Sequence, residues 1–430
     1  MHTGPVRACR RERIWVMADV IVLGAGIVGI CTAINLQRRG RQVVLVDRKT
    51  PGRETSYGNA GLIQKEGVRP YAFPREFGTL LRIAQNTSID ARYSPTALPA
   101  LAPLIMQYWY NSAPERYRQI VADYAPLILS SVDTHAELIA EAGAEDLVSK
   151  DGWYRVFRSA KARDIAFAQA EDDERRYGVT NRRIDGPEMA RIEPDVMIPM
   201  SGAIHWVEPW GIKDPGSLAD AYVALFRKLG GVVATGDAMS LATAGKGWRV
   251  TTDAGPVEAG EAVITLGPWS RGLTRQLGYR LPLFVKRGYH MHYGTQDNKP
   301  LRHWLLDSET GYLLAPMLKG IRLTTGAEFA PLDTPGNPVQ LEAAERVARQ
   351  FFPLGERREP QPWMGSRPCT PDMKPVIGRA PKHGNLWFGF GHAHHGLTLG
   401  AATGKLLGQA MTGEKPYLDL APFSAARFGS

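Results

Sequence analysis

The pattern of apolar positions is most informative near the start of the chain. Val20–Leu23 is a short, continuous apolar run, typical of a fully buried strand, and the glycine-rich stretch Gly24–Gly29 follows it directly. Ile27–Arg39 then carries apolar residues at helical spacing, and a second apolar run, Val43–Val46, ends at Asp47. Strand, glycine turn, helix, strand and acid in this order predict a Rossmann-like unit that binds a dinucleotide.

Each part of this unit has a physical role in binding a dinucleotide. Gly24 permits the tight turn, Gly26 lets the backbone approach a pyrophosphate, and Gly29 lets helix and strand pack closely. The helix offers unpaired N–H groups to the phosphates, and Asp47 can accept hydrogen bonds from ribose hydroxyls. The alternative is a glycine turn in an ordinary strand–helix unit. The predicted contacts are Gly24, Ala25, Gly26, Ile27, Val28, Gly29, Asp47 and Arg48.

Periodicity further along the chain predicts a mixture of helices and strands. Apolar spacing and capping residues indicate helices over Leu98–Tyr110, Pro114–Ala142, Lys161–Tyr177 and Asp214–Phe226. Apolar or alternating runs indicate strands at Trp153–Phe157, Val232–Ala234, Trp248–Thr252, Glu261–Leu266, Leu281–Tyr293, Gly311–Thr325 and Asn385–Gly391. In Leu98–Tyr110, Pro99 and Pro103 argue against a membrane span, which leaves a helix packed on the core or an interfacial membrane anchor.

The length of the chain predicts two domains. A chain of 430 residues exceeds what one hydrophobic core usually holds, and the strand–helix–strand pattern returns two hundred residues after the first. The dinucleotide-binding domain then comprises residues 17–66, 212–278 and 365–430, and a second α+β domain on a mostly antiparallel sheet comprises 67–211 and 279–364. Residues 1–16 are expected to be a disordered extension before a natural start at Met17, with a targeting role as the alternative.

Composition narrows the function classes. The net charge is +9, of which the first sixteen residues contribute +3 (four arginines against one glutamate), and the rest is spread without a long basic block. The aromatic and basic residues do not interleave as in a nucleic-acid-binding module, so no nucleic-acid partner is expected. The three cysteines are far apart, which favours a reducing compartment such as the cytoplasm. No apolar run reaches the ~18 residues that a membrane span needs.

Three further segments carry candidate chemistry. The polar loop Glu54–Leu62 can reach a second part of the cofactor, or it is a plain surface loop. The proline-rich segment Trp363–Gly378 is expected to be a nearly rigid loop that presents Arg367 to a carboxylate, unless Arg367 only caps carbonyls inside the loop. In His392–Leu407, small residues let a helix approach another surface, and its N-terminus would stabilise an anionic reduced flavin ring.

The three histidines at 392, 394 and 395 invite a metal interpretation, which we reject for two reasons. Ligands at such adjacent loop positions point in different directions, and no nearby Cys, Asp or Glu completes a site. His394 or His395 instead faces a substrate, or the histidines are structural.

Together these motifs resemble the glycine oxidase/D-amino-acid oxidase superfamily of FAD-dependent oxidoreductases, with the greatest likeness to the D-amino-acid dehydrogenases. The resemblance covers Ala18 to about Tyr417. The motifs that carry it are Gly24–Gly29, Glu54–Gly61, Leu266–Ser270, Arg367–Asp372 and Gly391–Gly404. A fainter similarity, at Tyr57–Gln64 and Pro70–Pro74, is to dehydrogenases of D-proline or 4-hydroxy-D-proline.

The resemblance implies a role for each candidate residue. Asp47 would bind the adenosine ribose of FAD, and the remaining cofactor contacts would be Ser56, Asn59, Ala60, Gly61, Ala238, Gly267, Gly396, Leu397 and Thr398. Arg367 would bind the substrate carboxylate, and the other residues on the substrate side would be Tyr289, His290, Tyr312, His394 and His395. Sarcosine oxidases attach flavin to a cysteine nearer the start of the arginine loop than Cys369, so FAD is expected to be non-covalent.

The resemblance also implies the reaction. A D-amino or cyclic imino acid would be oxidised by hydride transfer from its α-carbon to the flavin, and the electrons would pass to a quinone or another acceptor that is not oxygen. The location would be cytoplasmic, with peripheral contact at the inner face of the cytoplasmic membrane as a further expectation. The alternatives are a 2-hydroxy-acid dehydrogenase on the same fold, a flavin-bearing subunit of a multi-subunit dehydrogenase, and a tRNA-modifying flavoprotein.

Overall fold

The structure is a computed structural model that describes residues 16–429, and within these residues the chain is a mixture of helices and strands. The helices are α1 (Ile27–Arg38), α2 (Phe77–Ala84), α3 (Leu98–Asn111), α4 (Pro114–Leu129), α5 (Ser131–Ala142), α6 (Ala160–Tyr177), α7 (Gly186–Ile192), α8 (Pro215–Lys228), α9 (Ser270–Gln276), α10 (Val339–Phe351) and α11 (Gly396–Met411). The strands are β1 (Val16–Leu23), β2 (Val43–Asp47), β3 (Leu62–Ile63), β4 (Ala91–Tyr93), β5 (Val148–Ser149), β6 (Trp153–Phe157), β7 (Asn181–Asp185), β8 (Gly202–Trp206), β9 (Trp210–Ile212), β10 (Val232–Ala244), β11 (Gly247–Thr252), β12 (Gly255–Ile264), β13 (Phe284–Thr295), β14 (Trp304–Asp307), β15 (Tyr312–Met317), β16 (Gly320–Thr324), β17 (Ala327–Phe329), β18 (Leu354–Arg357), β19 (Trp363–Cys369), β20 (Val376–Arg379) and β21 (Leu386–Phe390). The predicted disordered extension lies outside the described residues, except for Val16, which begins β1.

The first sheet has the Rossmann-like arrangement that the sequence predicts. Strands β10, β2, β1, β12 and β21 lie side by side and parallel, and β20 adds an antiparallel edge. Strand β11 pairs antiparallel with the outer parts of β10 and β12. Because β1 and β12 are central and parallel, the glycine turn after β1 and the turn after β12 meet at one edge of the sheet.

The second sheet has eleven strands and is mostly antiparallel, as predicted. Its order is β4-β17-β13-β16-β15-β14-β6-β8-β7, and β18 and β19 both pair with β13. Within this second sheet, only the β17–β4 and β14–β6 pairs of the described strands are parallel. A small antiparallel sheet pairs β9 with β3, from the segment 17–66, and with β5, from the segment 67–211, so it joins strands of both predicted domains.

The two faces of the second sheet bury different residues. Tyr289 and Met291 on β13 belong to an apolar cluster with Leu341 and Phe351 of α10. Leu313 and Ala315 on β15 instead belong to the core cluster that includes α1 and α11. We call this second side the cavity face, because successive residues of a strand alternate between the faces and this side turns towards the glycine turn and α11.

Helix α11 packs on α1 at backbone distance. A Cβ atom on Gly400 would lie 3.2 Å from the Ile27 side chain, and one on Gly404 would lie 2.5 Å from the Cys31 backbone. Gly408 approaches Asn35 in the same way, with a Cβ distance of 3.0 Å. Because the contacts advance by four residues on both helices, α1 and α11 run parallel. The prediction that small residues let this helix approach another surface is confirmed.

Two local predictions were wrong, one for a local and one for a tertiary reason. The helix predicted over Pro114–Ala142 is two helices, because Ser130 turns its hydroxyl back to the Leu127 carbonyl at the junction of α4 and α5. Arg367 lies on strand β19 and not in a loop, because pairing with β13 draws the segment into the sheet. The helix predicted over Leu98–Tyr110 is present as α3, and it fully buries only Leu101 and Tyr108.

The predicted domain boundaries remain a proposal, which two observations refine. Strand β19 belongs to the second sheet by its pairing with β13, although its last residues fall in the segment 365–430. Helix α5 contacts α8 and α11, although it falls in the segment 67–211. Among the described residues, no helix combines the length and the apolar character needed to cross a bilayer.

The α1–α11 contact predicts the effect of one methyl group. Gly404→Ala should lower the free energy of unfolding by about 1–3 kcal/mol, because its Cβ has no room beside Cys31 and the helices must separate. Gly78→Ala in α2 is the matched control, because nothing lies within 4 Å of a Cβ there and alanine favours a helix. Urea unfolding measures both changes. Equal midpoints for the two variants would contradict the close approach.

Candidate active site

The glycine turn brings the predicted cofactor residues Gly24–Gly29 together at the start of α1. Gly24 has a φ of +100°, and a Cβ on it would lie 2.7 Å from the Thr265 carbonyl oxygen. A Cβ on Gly29 would lie 1.8 Å from the Gly24 carbonyl oxygen. Helix α1 has no side-chain cap and no acid in its first turn. The amides of its first turn and its dipole therefore suit a pyrophosphate.

Asp47 ends β2 directly beside this turn. Its Oδ2 accepts a hydrogen bond from Ala25 N at 2.6 Å, and its Oδ1 accepts one from Lys49 N at 3.0 Å. The carboxylate is thus fixed against the glycine turn, where a ribose next to the pyrophosphate would lie. Arg48 stacks over the Trp269 ring at 4.4 Å, which places it at the turn after β12.

The loop 54–61 crosses the N-terminus of α1. Ser56 Oγ accepts a hydrogen bond from Ile27 N at 2.9 Å, and Asn59 Oδ1 accepts one from Gly61 N at 2.9 Å. Trp304 Nε1 donates to the Ala60 carbonyl at 2.9 Å. The loop predicted to line FAD is therefore held in place from both sides and adjoins the glycine turn.

A buried arginine that the sequence analysis missed anchors this loop. Arg322 is 2% exposed and donates from Nη1 to the carbonyls of Tyr57 and Asn59. Its Nε donates to His292 Nε2 at 3.0 Å, and His292 Nδ1 donates to Glu359. Burial lowers the pKa of Arg322 to about 10 and also lowers that of His292, so His292 is neutral and can accept this hydrogen bond.

The start of α11 adjoins the same loop. Thr398 Oγ1 donates to the Leu62 carbonyl at 3.0 Å and accepts from Gln64 N at 3.3 Å. The Leu397 carbonyl is 2.8 Å from His135 Nε2, which fixes the first turn of the helix. Ala393 has a φ of +51°, an unfavourable value for a residue with a Cβ, just before the helix. Gly396, Leu397 and Thr398 thus lie in the first turn of α11 beside the segment 62–64, and their contact with the flavin ring stays a prediction.

The two remaining predicted cofactor residues lie on the first sheet. Ala238 is at an irregularity of β10, where the pairing with β11 shifts between Asp237 and Ala242. Gly267 has a φ of +54° in the turn after β12 and leaves open space around its Cα. Both positions are partly exposed.

On the substrate side, Arg367 lies on the cavity face of the second sheet. It is paired with Lys286 of β13, and its guanidinium lies over Gly288, where a Cβ would be 2.3 Å from Nη2. Nη1 donates to the Gly326 carbonyl at 2.7 Å. Burial lowers the pKa of Arg367, yet no carboxylate among the described residues lies within ion-pair distance of it. The carbonyls that Arg367 binds, those of Gly326 and Thr325, lie outside the segment 363–378, so the alternative that it caps carbonyls inside its own loop is wrong. Its contact with a substrate carboxylate stays a prediction.

His394 faces the same space. Its ring centroid is 4.5 Å from that of Tyr71, which is 59% exposed. Burial, together with the charges of Arg367 and Lys286, holds the pKa of His394 well below its usual value, so the imidazole is neutral. Burial also raises the pKa of Tyr71. We call the region bordered by Tyr71, His394 and Arg367 the cavity.

Four predicted substrate residues are not on this cavity. Tyr289 and Tyr312 are in the cluster on the other face of the sheet, because residues alternate along a strand. His290 is on the cavity face but lies under the loop 54–61, stacked on Trp363 at 4.8 Å. His395 is 2% exposed and bonds to Tyr124 OH at 2.6 Å. The prediction that these four side chains contact a substrate directly is therefore wrong.

The three C-terminal histidines are each explained without a metal. Burial alone lowers the pKa of His392 to about 3, and its Nε2 lies 2.8 Å from Thr403 Oγ1. Within residues 16–429, no three His, Cys, Asp or Glu side chains come together as a metal site. His392 and His395 are thus structural in this fold, and His394 alone is open to the cavity.

The sequence analysis also missed three cavity residues. Tyr71 lies in the Pro70–Pro74 strap, which is held by Tyr108 OH donating to the Tyr71 carbonyl. Arg155 of β6 lies on the cavity face, donates to Ser308 Oγ at 2.9 Å, and acts electrostatically on Tyr71. Lys286 is the partner of Arg367 across the ladder. The sequence offers a signal only for Tyr71, an aromatic residue between two prolines. Whether the side chains of Arg155 and Lys286 face the cavity depends on strand register, which the sequence does not show.

Comparison with known proteins agrees with this geometry. The model of the family DAO, FAD dependent oxidoreductase, matches residues 19–410. The D-amino-acid oxidase of Bradyrhizobium diazoefficiens is 32% identical over 95% of this chain and 98% of its own. The D-amino acid dehydrogenase of Chromohalobacter salexigens is 28% identical over 96% of this chain and 100% of its own.

Solved structures share the fold at lower identity. Glycine oxidase from Geobacillus kaustophilus has a TM-score of 0.72 and 21% identity, covering 96% of this chain and 99% of its own. L-Proline dehydrogenase from P. horikoshii has a TM-score of 0.71 and 15% identity, covering 97% and 99%. The site and fold are thus those of an FAD-dependent oxidoreductase. The chain belongs to the DAO family, and its cofactor is FAD.

Cys369 bears on how FAD is held. It is 3% exposed, its Sγ is 3.5 Å from the Arg367 carbonyl, and burial raises the pKa of its thiol. A neutral, buried thiol is a poor nucleophile, which supports the expectation that FAD is non-covalent.

The anchor at Arg322 predicts the affinity for FAD. Arg322→Met should weaken FAD binding about ten- to a hundredfold, because two carbonyls of the loop lose a charged donor and the loop loosens. Arg349→Met is the matched control, since Arg349 also donates to two carbonyls, those of Leu354 and Gly355, away from the loop. Titration of apoprotein with FAD gives both dissociation constants. Equal weakening in both variants would show a general loss of stability.

Proposed function

We propose that the protein is a dehydrogenase that oxidises a D-amino acid or a cyclic imino acid at its α-carbon. The observation that carries the proposal is Arg367, a guanidinium on the cavity face without a carboxylate partner among the described residues. Its fork matches the two oxygens of a substrate carboxylate. The choice of a D-amino acid is supported by the names of the relatives that cover nearly the whole chain.

FAD, when bound, takes up the two electrons and the hydrogen of the α C–H bond as a hydride, and water converts an acyclic imine product to a 2-oxo acid and ammonia. The protein's part is to orient the substrate. Arg367 fixes the carboxylate, so that the α-carbon has one position relative to α11 and the loop 54–61. Tyr71 and the neutral His394 close the cavity from the side of the strap. A neutral His394 adds no charge beside a substrate amine that must react unprotonated.

An anaerobic screen tests the class of substrate. We expect the yellow holoenzyme to be bleached by D-amino acids or D-proline analogues, and not by their L-counterparts. Bleaching by 2-hydroxy acids alone would contradict the proposal and assign a hydroxy-acid dehydrogenase. No bleaching by any of these substrates until a second subunit is added would assign a flavin-bearing subunit.

Substitution of Arg367 tests the role of that residue. Arg367→Lys should keep FAD but lose the bidentate geometry, which lowers kcat/KM for amino acids about ten- to a hundredfold. Arg367→Ala should lower it further, and simple amines without a carboxylate should be affected less. Arg349→Lys serves as the control for an arginine outside the cavity. If the Arg367 variants lower kcat/KM equally for amines and for amino acids, Arg367 only holds the Gly326 carbonyl and does not bind the substrate carboxylate.

The electron acceptor belongs to the same proposal: a quinone or another carrier that is not oxygen. The support is a set of exposed apolar side chains on α2 and α3, which we call the α2–α3 face: Phe77, Leu81, Met106, Trp109 and Tyr110. Phe77 is 80% exposed and Met106 70%. Arginines border this face, with Arg75 over the Trp109 ring and Arg116 over the Tyr110 ring, each at 3.9 Å.

Apolar side chains edged by arginines fit the surface of an anionic bilayer, where a membrane quinone is dissolved. Contact at the α2–α3 face would bring the strap 70–74 towards the lipid. The reduced enzyme should then react faster with a quinone than with oxygen. Stoichiometric peroxide at full turnover, without another acceptor, would make the protein an oxidase.

Vesicle binding tests the α2–α3 face. The holoenzyme should sediment with vesicles of anionic phospholipid, and Phe77→Asp with Met106→Glu should reduce the bound fraction at least about tenfold, because both changes place negative charge on the apolar face. Ile165→Glu is the matched control, since Ile165 is 64% exposed on α6. Equal binding by the unaltered protein, the double variant and Ile165→Glu would place the membrane contact elsewhere on the protein. If the unaltered protein does not bind vesicles, the protein makes no such contact.

A further inference from the structure

The cavity face of the second sheet carries two adjacent cations. Lys286 of β13 and Arg367 of β19 are directly opposite each other in the antiparallel ladder, where Cβ atoms are about 4.5–5.5 Å apart. Their side chains share a face, because the Arg367 guanidinium lies over Gly288, two residues after Lys286. Like charges placed directly opposite destabilise a sheet unless something compensates them.

On the other face of the same strand, a buried cation is neutralised by an acid. There Arg287 pairs with the Glu328 carboxylate at 3.1 Å, and Tyr289 OH donates to that carboxylate at 2.6 Å. The cavity face provides no such acid. Among residues 16–429, neither Lys286 nor Arg367 has a carboxylate within ion-pair distance.

The Lys286 ammonium is held at the wall of the cavity by neutral groups. Nζ donates to Tyr108 OH at 2.8 Å and lies 4.2 Å from the centroid of that ring. The rings of Phe329 and Phe284 lie 5.4 Å and 5.8 Å from Nζ. One hydrogen bond leaves two of its three N–H donors for a ligand. His394, which is open to the cavity, lies within the electrostatic reach of both Lys286 and Arg367.

We propose that Lys286 binds a second anionic group of the substrate, so that the cavity prefers an acidic amino acid, with Arg367 on the α-carboxylate and Lys286 on the side-chain carboxylate. The inference rests on the proposed function and specifies its substrate. The aromatic rings fix the position of the Lys286 ammonium through cation–π contacts but do not neutralise its charge, so the ammonium can still pair with an anion. A second carboxylate would remove the repulsion between the two cations.

The experiment compares each acid with its neutral isostere on the holoenzyme. Anaerobic flavin reduction by D-glutamate and D-aspartate should be at least about tenfold more efficient than reduction by D-glutamine and D-asparagine. Lys286→Met should lower the efficiency for the two acids at least about tenfold, mainly through substrate affinity, and change that for the amides little. Lys286→Arg should restore part of the preference. Lys382→Met is the matched control, because Lys382 Nζ also lies over a tyrosine ring, at 5.3 Å, outside the cavity.

A binding measurement separates this inference from the proposed function. Glutarate should shift the flavin spectrum at lower concentration than butyrate, and Lys286→Met should remove the difference. Reduction by D-glutamine as efficient as by D-glutamate would overturn the inference and leave the proposed function in place. If Lys286→Met lowers the efficiency of flavin reduction equally for acids and amides, the inference is also overturned, because Lys286 would then contribute to flavin binding or to folding and not to recognition of the side chain. If no D-amino acid reduces the flavin, the proposed function fails, and glutarate binding still tests Lys286.

Discussion

The structure depends first on the parallel contact between α1 and α11. Gly400 and Gly404 let the two backbones approach until a Cβ would not fit, and the contact points advance together along both helices. Parallel helices bring their positive ends to the same side, although their dipoles repel each other along the contact. Since Gly400 faces Ile27, the N-terminus of α11 extends beyond that of α1 by about 6 Å, one helical turn. The two ends can thus serve two parts of one extended anionic cofactor.

The second sheet supplies the substrate side through the alternation of its residues. The cavity face carries Lys286, Gly288 and Arg367, whereas Tyr289 and Tyr312 pack beneath α10 on the other face. The Arg322–His292–Glu359 chain joins this sheet to the cofactor loop, because Arg322 holds the carbonyls of Tyr57 and Asn59. The loop that is predicted to line FAD is therefore fixed to the second sheet through Arg322.

Local signals made much of the fold predictable. The glycine turn with Asp47 needs no distant residue to be recognised, and the Asp214 side chain caps α8 by accepting from Gly216 N and Ser217 N, as its sequence indicates. The strand at Gly288–His290 was also identified, but which of its side chains face the cavity depends on strands far away in sequence. Tyr289 was chosen and Lys286 missed for this reason. Arg322 was missed because its partners at 57–59, 292 and 359 are joined only by folding.

The account as a whole requires Arg367 to exchange a carbonyl partner for a carboxylate. The most direct measurement is a crystal structure of the FAD-bound protein with an unreactive carboxylate, such as benzoate. The account predicts two hydrogen bonds from the Arg367 guanidinium to the carboxylate, with the ligand enclosed by Tyr71 and His394 next to the first turn of α11. A carboxylate bound elsewhere, with Arg367 Nη1 still on the Gly326 carbonyl, would contradict it.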